Sequence, residues 1–443
     1  MSALVGNQNI YQRPTEILQN LIRFDTTNPP GNEAECLVYI NSLLTNAGFE
    51  TTILARTPNR TNLITRLKGQ GNAPPFMLYG HVDVVTTAGQ VWTHPPFEAK
   101  LVDGCVWGRG ALDMKGAIAM MLSAFLRAKA EGLSPAGDIV LAILSDEEAG
   151  GDYGAKFLVE NHSQLFKGIR YAIGEFGGAR IHLRGKKLYP IMVAEKQICW
   201  MKATVRGPGG HGSFPMRGGA MARLARLIQH LEQRRLPVHI TPVARQMIES
   251  MASAFLFPTS LILRQLLNPT LTDTLLKLLG TTAKGLEPML HNTVNATIVR
   301  GGEKVNVIPS EIVLELDGRL LPGFRPDDMM AELRRIVGED VELELVRHDP
   351  GPAEPDMGLF EMLAGILREA DPGAHPFPTL LPGVTDGRHF SKLGIQTYGF
   401  TPMNASEGLD LLQLAHAANE RIPVESLDFG AHAIFKALQL YRG

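Results

Sequence analysis

Along its first half the chain switches between helical spacing of apolar residues and short unbroken apolar runs. In Asn32–Ala47, Ala34, Leu37, Val38, Ile40, Leu43 and Leu44 recur at helical intervals, and the pattern stops at Gly48, a residue suited to a left-handed cap. A second helix is expected over Lys115–Ala128. Between them, Asn62–Leu67 and Phe76–Tyr79, and later Ile139–Leu144 and Tyr171–Gly174, read as strands. Runs of this kind suit parallel strands buried on both faces. The alternation therefore predicts an α/β domain, a mostly parallel sheet with helices on both faces.

Near Ile198 the pattern changes. Cys199–Val205 alternates like a strand with one solvated face, followed by a glycine-rich turn and a helix over Met216–Glu232. Further strands are expected at Thr293–Val299, Glu311–Leu316 and Val341–Val346, with a helix at Asp327–Val337. That β-α-β-β-α-β order describes a second, inserted α+β domain at 198–350, leaving 1–197 and 351–443 to form the first. A stretch rich in Leu, Met and Phe at about 237–290 interrupts it, either as extra helices burying a core or as an apolar wall for substrate.

Composition narrows the class. A chain of 443 residues exceeds the size at which one core keeps growing, which agrees with two domains. A net charge of -2 gives no electrostatic case for nucleic acid or an anionic membrane as partner. Cys36, Cys105 and Cys199 form neither a paired framework nor a C-x-x-C site, which fits a reducing compartment. Met1–Tyr11 has no basic start or apolar core and no apolar run is long enough to span a bilayer, so the expected location is the cytoplasm.

The chemistry concentrates in three segments: Gly80-His81-Val82-Asp83, Gly108-Arg109-Gly110-Ala111-Leu112-Asp113 and Ser145-Asp146-Glu147-Glu148. His81 and Asp83 would leave a strand end on one face, where Asp83 can orient the imidazole of a metal-bound histidine. Glu147 and Glu148 follow a central strand, and strand ends are where open α/β sheets place ligands. Each signal alone has a plainer reading: a structural histidine at 81, acids in a first helical turn at 147–148, a helix cap at Asp113, a cap or packing residue at His416.

Taken together and in this order, the segments resemble the M20 family of metallopeptidases and deacylases, whose members include aminoacylases, deacetylases, desuccinylases and carboxypeptidase-S-like enzymes. The resemblance covers nearly the whole chain. It implies two zinc ions per subunit, with cobalt or manganese as substitutes, held by His81, Asp113, Glu148, Glu175 and His416, with Asp113 as the bridge. It makes Glu147 the general base and Asp83 the orienter. A cis peptide is expected at Asp113-Met114. The inserted domain is then a ferredoxin-like lid that carries a homodimer contact, and His211, in Gly209-Gly210-His211-Gly212, would reach the partner's site and stabilise the oxyanion. A donor so placed is typically worth ~3 kcal/mol of barrier. Asn295, Arg319 and Arg388 match substrate-contacting positions, and an arginine fork suits a carboxylate.

The expected activity is hydrolysis of an acyl or peptidyl group from an amino acid with a free carboxylate, the substrate being an N-acyl amino acid or short peptide. Glu175, where the family's other branch has aspartate, leans toward aminoacylases and deacetylases. The 237–290 insertion leans toward carboxypeptidase-S-like enzymes. A dipeptidase or carboxypeptidase is the nearest alternative, and a metal-binding protein without activity the more distant one; an intact Glu147 argues against the latter.

Overall fold

The computed structural model describes residues 9–280 and 285–443, so the expectation for the chain start falls on residues 1–8, outside the described part, as does 281–284 of the insertion. The chain divides into two compact units, one formed by 1–193, 356–379 and 385–443, the other by 194–355 and 380–384.

The first unit is built on a nine-stranded sheet. Its centre is parallel: Ile139–Leu144 pairs with Phe76–His81, which pairs with Tyr171–Gly174, which pairs with Gln396–Gly399. Arg60–Leu67 and Thr51–Thr57 continue one side and Lys186–Glu195 and Ala374–Leu381 the other, with antiparallel pairings at Thr51–Thr57/Arg60–Leu67, Arg60–Leu67/Ile139–Leu144 and Gln396–Gly399/Lys186–Glu195. The unbroken apolar runs are explained by burial on both faces. Met77, Tyr79, Val140 and Ala142 pack toward Ala155, Leu158 and Phe390, whereas Phe76 on the opposite face stacks on Tyr441 at 4.7 Å. A Cβ at Gly80 would come within 2.7 Å of Ile118 and Met114, so glycine lets the helix Lys115–Ala130 approach the strand closely. Helix Val424–Leu440 packs on that helix.

Two edge strands escaped the sequence pattern for physical reasons. Thr51–Thr57 is largely exposed and so has little apolar signal. Ala374–Leu381, at the other edge, contains Pro376 and Pro378, which a sheet tolerates only at its edges.

The second unit has a four-stranded antiparallel sheet in the order Thr293–Arg300, Glu311–Leu320, Gln197–Arg206, Val341–Asp349. Helices Ala220–Gln233 and Pro326–Val337 cover one face through Leu224, Leu227, Met329 and Leu333 against Met201, Ala203, Leu314 and Leu316. This is the ferredoxin-like arrangement. The first helix starts at Ala220 instead of Met216 because Gly218, at φ 73°, and Gly219 occupy the expected first turn. The strand expected to stop at Leu316 runs on to Leu320: Gly318 breaks the buried apolar series of Ile312, Leu314 and Leu316, which Leu320 resumes, while Asp317 on the other face lies opposite Trp200 and accepts its indole N–H at 3.0 Å. Among the described residues the insertion consists of helices Pro242–Ser253, Thr259–Gln265, Pro269–Leu279 and Glu287–Leu290. No described helix is long and apolar enough to cross a membrane.

Candidate metal centre and active site

The buried strand Phe76–His81 carries His81 to the C-terminal end of the parallel sheet. Its Nδ1 lies 3.0 Å from the Asp83 carbonyl oxygen and 3.4 Å from Asp83 Oδ1. Its Nε2 lies 3.2 Å from Glu175 Oε2 and 3.3 Å from Asp113 Oδ1. Burial alone would lower the imidazole's pKa, but hydrogen bonds with Asp113, Asp83 and Glu175 hold it well above the ordinary range.

Asp83 does more than face a histidine. Its Oδ1 accepts the Glu147 amide N–H at 3.1 Å, and its Oδ2 accepts that of Glu148 at 3.1 Å and the Asn28 side-chain amide at 2.8 Å. One buried carboxylate thus fixes the imidazole and the turn that presents both glutamates. The turn begins at Asp146, in the left-handed region at φ 71°. Arg60, itself paired with Glu33 at 2.8 Å, holds Asp146 at 2.7 Å. Burial would raise the Asp83 carboxyl, yet the His81, Asn28 and Glu148 hydrogen bonds hold it below the usual range.

Asp113 faces both sides. While Oδ1 addresses His81, Oδ2 lies 3.1 Å from His416 Nε2, which is also 3.2 Å from Glu148 Oε1. Two donor groups result, His81–Asp113–Glu175 and Asp113–Glu148–His416, each with its ligand atoms within 4.8 Å of one another. Asp113 is common to both. The Asp113-Met114 peptide is cis. Hydrogen bonds donated by His416 to Asp113 and Glu148 raise it to about 10, and burial followed by the opposing effect of His81 and the repulsion of Asp113 leaves Glu175 at about 8.

This donor set suits divalent cations. Carboxylate oxygens and imidazole nitrogens are zinc's ordinary ligands, and packing so many acids together is costly without positive charge to compensate. Glu175 Oε1 is buried with no hydrogen-bond partner among the described residues, as expected of an oxygen kept for a metal.

Glu147 lies outside both donor groups. Its Oε1 is 3.7 Å from Arg388 Nη1. Burial and then Glu175 push its carboxyl well above the ordinary range, against the pull of His81 and Arg388. Arg388 is 4 % exposed and donates to the carbonyls of Thr385 and Gly150 at 2.8 and 2.9 Å, so its fork is directed into the protein beside the base.

Two residues that sequence reasoning missed align the loops. Arg109 and Glu420, both buried, pair at 2.5 Å. Glu420 accepts the amides of Leu112 at 2.7 Å and Asp113 at 3.2 Å, while Arg109 donates to the His416 carbonyl at 3.1 Å. The Asp113 and His416 loops are therefore tied by one ion pair. Both stand in conspicuous segments, Gly108-Arg109-Gly110 and Asn419-Glu420, but nothing local in the sequence signals that they pair.

The remaining candidates belong to the second unit. His211 stands on an exposed turn, its Nδ1 2.7 Å from Ser213 Oγ. Asn295 is exposed, and on the paired strand Arg319 binds Asp317 through Nε at 2.8 Å and Nη2 at 3.1 Å, leaving Nη1 buried with no hydrogen-bond partner among the described residues.

Comparison with known proteins agrees. Probable carboxypeptidase S-like 2 of Dictyostelium discoideum is 28% identical over 386 residues, covering 81% of this chain and 71% of that protein. The N-fatty-acyl-amino acid synthase/hydrolase PM20D1 of Xenopus tropicalis is 28% identical over 372 residues, covering 81% and 70%. Among solved structures, the Bacillus subtilis YXEP protein, a dinuclear metal binding peptidase from the M20 family, superposes with a TM-score of 0.60 at 14% identity, over 97% of this chain and 98% of that one. The family model for peptidase family M20/M25/M40 matches residues 77–440, and the chain belongs to that family.

Proposed function

We propose that this protein hydrolyses the amide bond joining an acyl or peptidyl group to an amino acid with a free carboxylate. The observation that carries the reading is the position of Glu147, next to a donor residue but outside both donor groups. His81, Asp113 and Glu175 would hold one cation and Asp113, Glu148 and His416 the other, zinc being our choice from the ligand types. When bound, two such ions would polarise the scissile carbonyl and acidify a water at the site.

The chain's own groups supply the rest. Glu147 removes a proton from the attacking water and returns it to the departing nitrogen. A carboxyl held above its ordinary range by burial is a competent acid for that second transfer. Asp83 keeps His81 and the Glu147–Glu148 turn in register, and Arg388 holds the base. Arg319, which retains one unpartnered donor, and the exposed Asn295 are the side chains we assign to the substrate's carboxylate end. His211 we assign to oxyanion stabilisation across a homodimer formed through the second unit.

The test is a panel of N-acyl amino acids and unblocked dipeptides offered to the chelated protein and to protein reloaded with zinc, cobalt or manganese. Hydrolysis restored by metal supports the reading, and the preferred substrate separates acylase from dipeptidase. Turnover that persists after metal removal, or no turnover of either class by metallated protein, contradicts it.

A further inference from the structure

His81 and His416 are kept in place by different means. The His81 side chain is 1 % exposed and enclosed at the end of its strand, whereas that of His416 is 49 % exposed, so burial does not hold it. The His416 backbone lies in the left-handed region at φ 62°, as does that of Asn419. A histidine keeps such a conformation only where neighbouring groups over-determine it. Those groups come from a segment 326 positions earlier: Gln90 Nε2 donates to the His416 carbonyl at 2.8 Å, and the Thr93 N–H donates to Asn419 Oδ1 at 2.7 Å. The Gln90 amide is itself fixed. Its oxygen accepts from Arg109 Nη2 at 2.7 Å and from Trp92 Nε1 at 3.2 Å, which leaves its nitrogen to face the His416 carbonyl. Arg109 donates to the same carbonyl at 3.1 Å and lies over the Trp92 ring at 5.2 Å.

We propose that Gln90 is a positioning residue for the metal centre: through the His416 carbonyl it holds the imidazole toward Asp113 and Glu148, and so governs retention of the one cation assigned to those three residues. The inference deepens the two-metal reading above and rests on it. Its selectivity follows from the contacts. Among the described residues no hydrogen bond joins Gln90 to His81, Glu148 or Glu175, so its side chain acts on one ligand of one donor group. The leverage follows from the imidazole's shape. Nε2 stands at the far end of the ring from the backbone, so a small rotation at His416 carries it away from Asp113 Oδ2 and Glu148 Oε1 together. With half of the side chain in solvent, the grip on the carbonyl is what opposes that rotation.

The experiment counts zinc per chain in zinc-loaded wild type and Gln90→Glu equilibrated with a graded competing chelator. Glutamate keeps the length of the side chain and the two bonds its oxygen accepts, but turns the donor facing the His416 carbonyl into an acceptor. Wild type should hold two ions. In Gln90→Glu one of them should bind roughly 10–100-fold more weakly, while the other titrates as in wild type. Gln90→Ala, which removes the grip without adding charge, should do the same and carries the test if the glutamate disturbs folding. His416→Ala removes the group through which Gln90 acts, so adding Gln90→Glu to it should weaken zinc binding no further. Wild-type retention of both ions in the Gln90 variants, equal weakening of both ions, or further weakening on top of His416→Ala overturns the proposal. Wild type that holds fewer than two ions removes the two-metal reading and the proposal with it. If wild type holds two ions and cleaves none of the substrates, the assigned reaction falls, and the zinc counts alone decide the role of Gln90.

Discussion

Asp113 and His416 meet through Oδ2 and Nε2 at 3.1 Å, while the other oxygen of the same carboxylate lies 3.3 Å from His81. That relationship makes Asp113 the shared member of two donor groups whose other residues come from four different segments. The geometry needs support behind it, and the support is where several predictions fall.

Asp83 positions both His81 and the glutamate turn. Asp83→Asn keeps the shape but exchanges one carboxylate oxygen, which accepts the Glu147 or the Glu148 amide, for a donor. Loss of such a supporting partner typically lowers metal affinity 10–100-fold, roughly, and titration against a competing chelator should show a weakening of that order. Unchanged affinity would mean that His81 is oriented by the Asp83 carbonyl alone.

The Arg109–Glu420 pair is fully enclosed. Arg109→Met leaves a buried carboxylate without its cation, a change that typically costs about 3–5 kcal/mol. Urea unfolding should show that loss, with activity falling beyond the loss of folded protein because the Asp113 and His416 loops separate. Replacing both partners with apolar residues should recover much of the stability and little of the activity.

Lys196 in the second unit is buried, donates to the His291 carbonyl at 2.9 Å and Thr293 Oγ1 at 2.8 Å, and is pushed down to about 7 by burial, with Arg319 adding and Asp317 opposing. An unfolded lysine titrates near ~10.4. Between those values the unfolded chain binds the proton that the folded chain has released, so stability rises with pH from about 7 toward 10, and the cost of burying the charged ammonium is fullest below 7. Urea midpoints of wild type should climb over this window relative to those of Lys196→Met. Parallel curves would show that the lysine stays charged in the folded protein.

The trans role assigned to His211 predicts complementation. Glu147→Ala and His211→Ala, each inactive, should on subunit exchange regain up to about a quarter of wild-type activity, because half of the dimers are mixed and each mixed dimer has one intact site. Exchange without recovered activity would remove the assignment.

Much of the site could be read from the sequence because its ligands sit at the ends of apolar strands or in glycine-rich turns, where an acidic or histidine residue breaks a clear pattern. His81 after Phe76–Tyr79 and Glu147 after Ile139–Leu144 are such cases. Arg109 and Glu420 were not legible, since an ion pair between residues 311 positions apart leaves no local trace. The same holds for Arg60, which acts on the glutamate turn through Asp146. In the fold, Phe76–His81, Ile139–Leu144, Tyr171–Gly174 and the helix Lys115–Ala130 followed from periodicity, whereas the interior strands Lys186–Glu195 and Gln396–Gly399 and the helix Val424–Leu440 were not read, and of the edge strands Thr51–Thr57 is too exposed and Ala374–Leu381 too interrupted by proline to show a pattern. Arg388 resembled a substrate ligand by sequence context; its enclosure beside Glu147 appears only once the loop from Gly150 closes over it.

The central claim is that Glu147 moves the proton while other residues hold the metal. It is tested most directly by measuring kcat and bound metal together in wild type and Glu147→Gln. The account predicts a fall in kcat of about 10²–10⁴ with about two metal ions per chain retained in both proteins. Full activity in Glu147→Gln, or a loss of activity that tracks loss of metal, would contradict it.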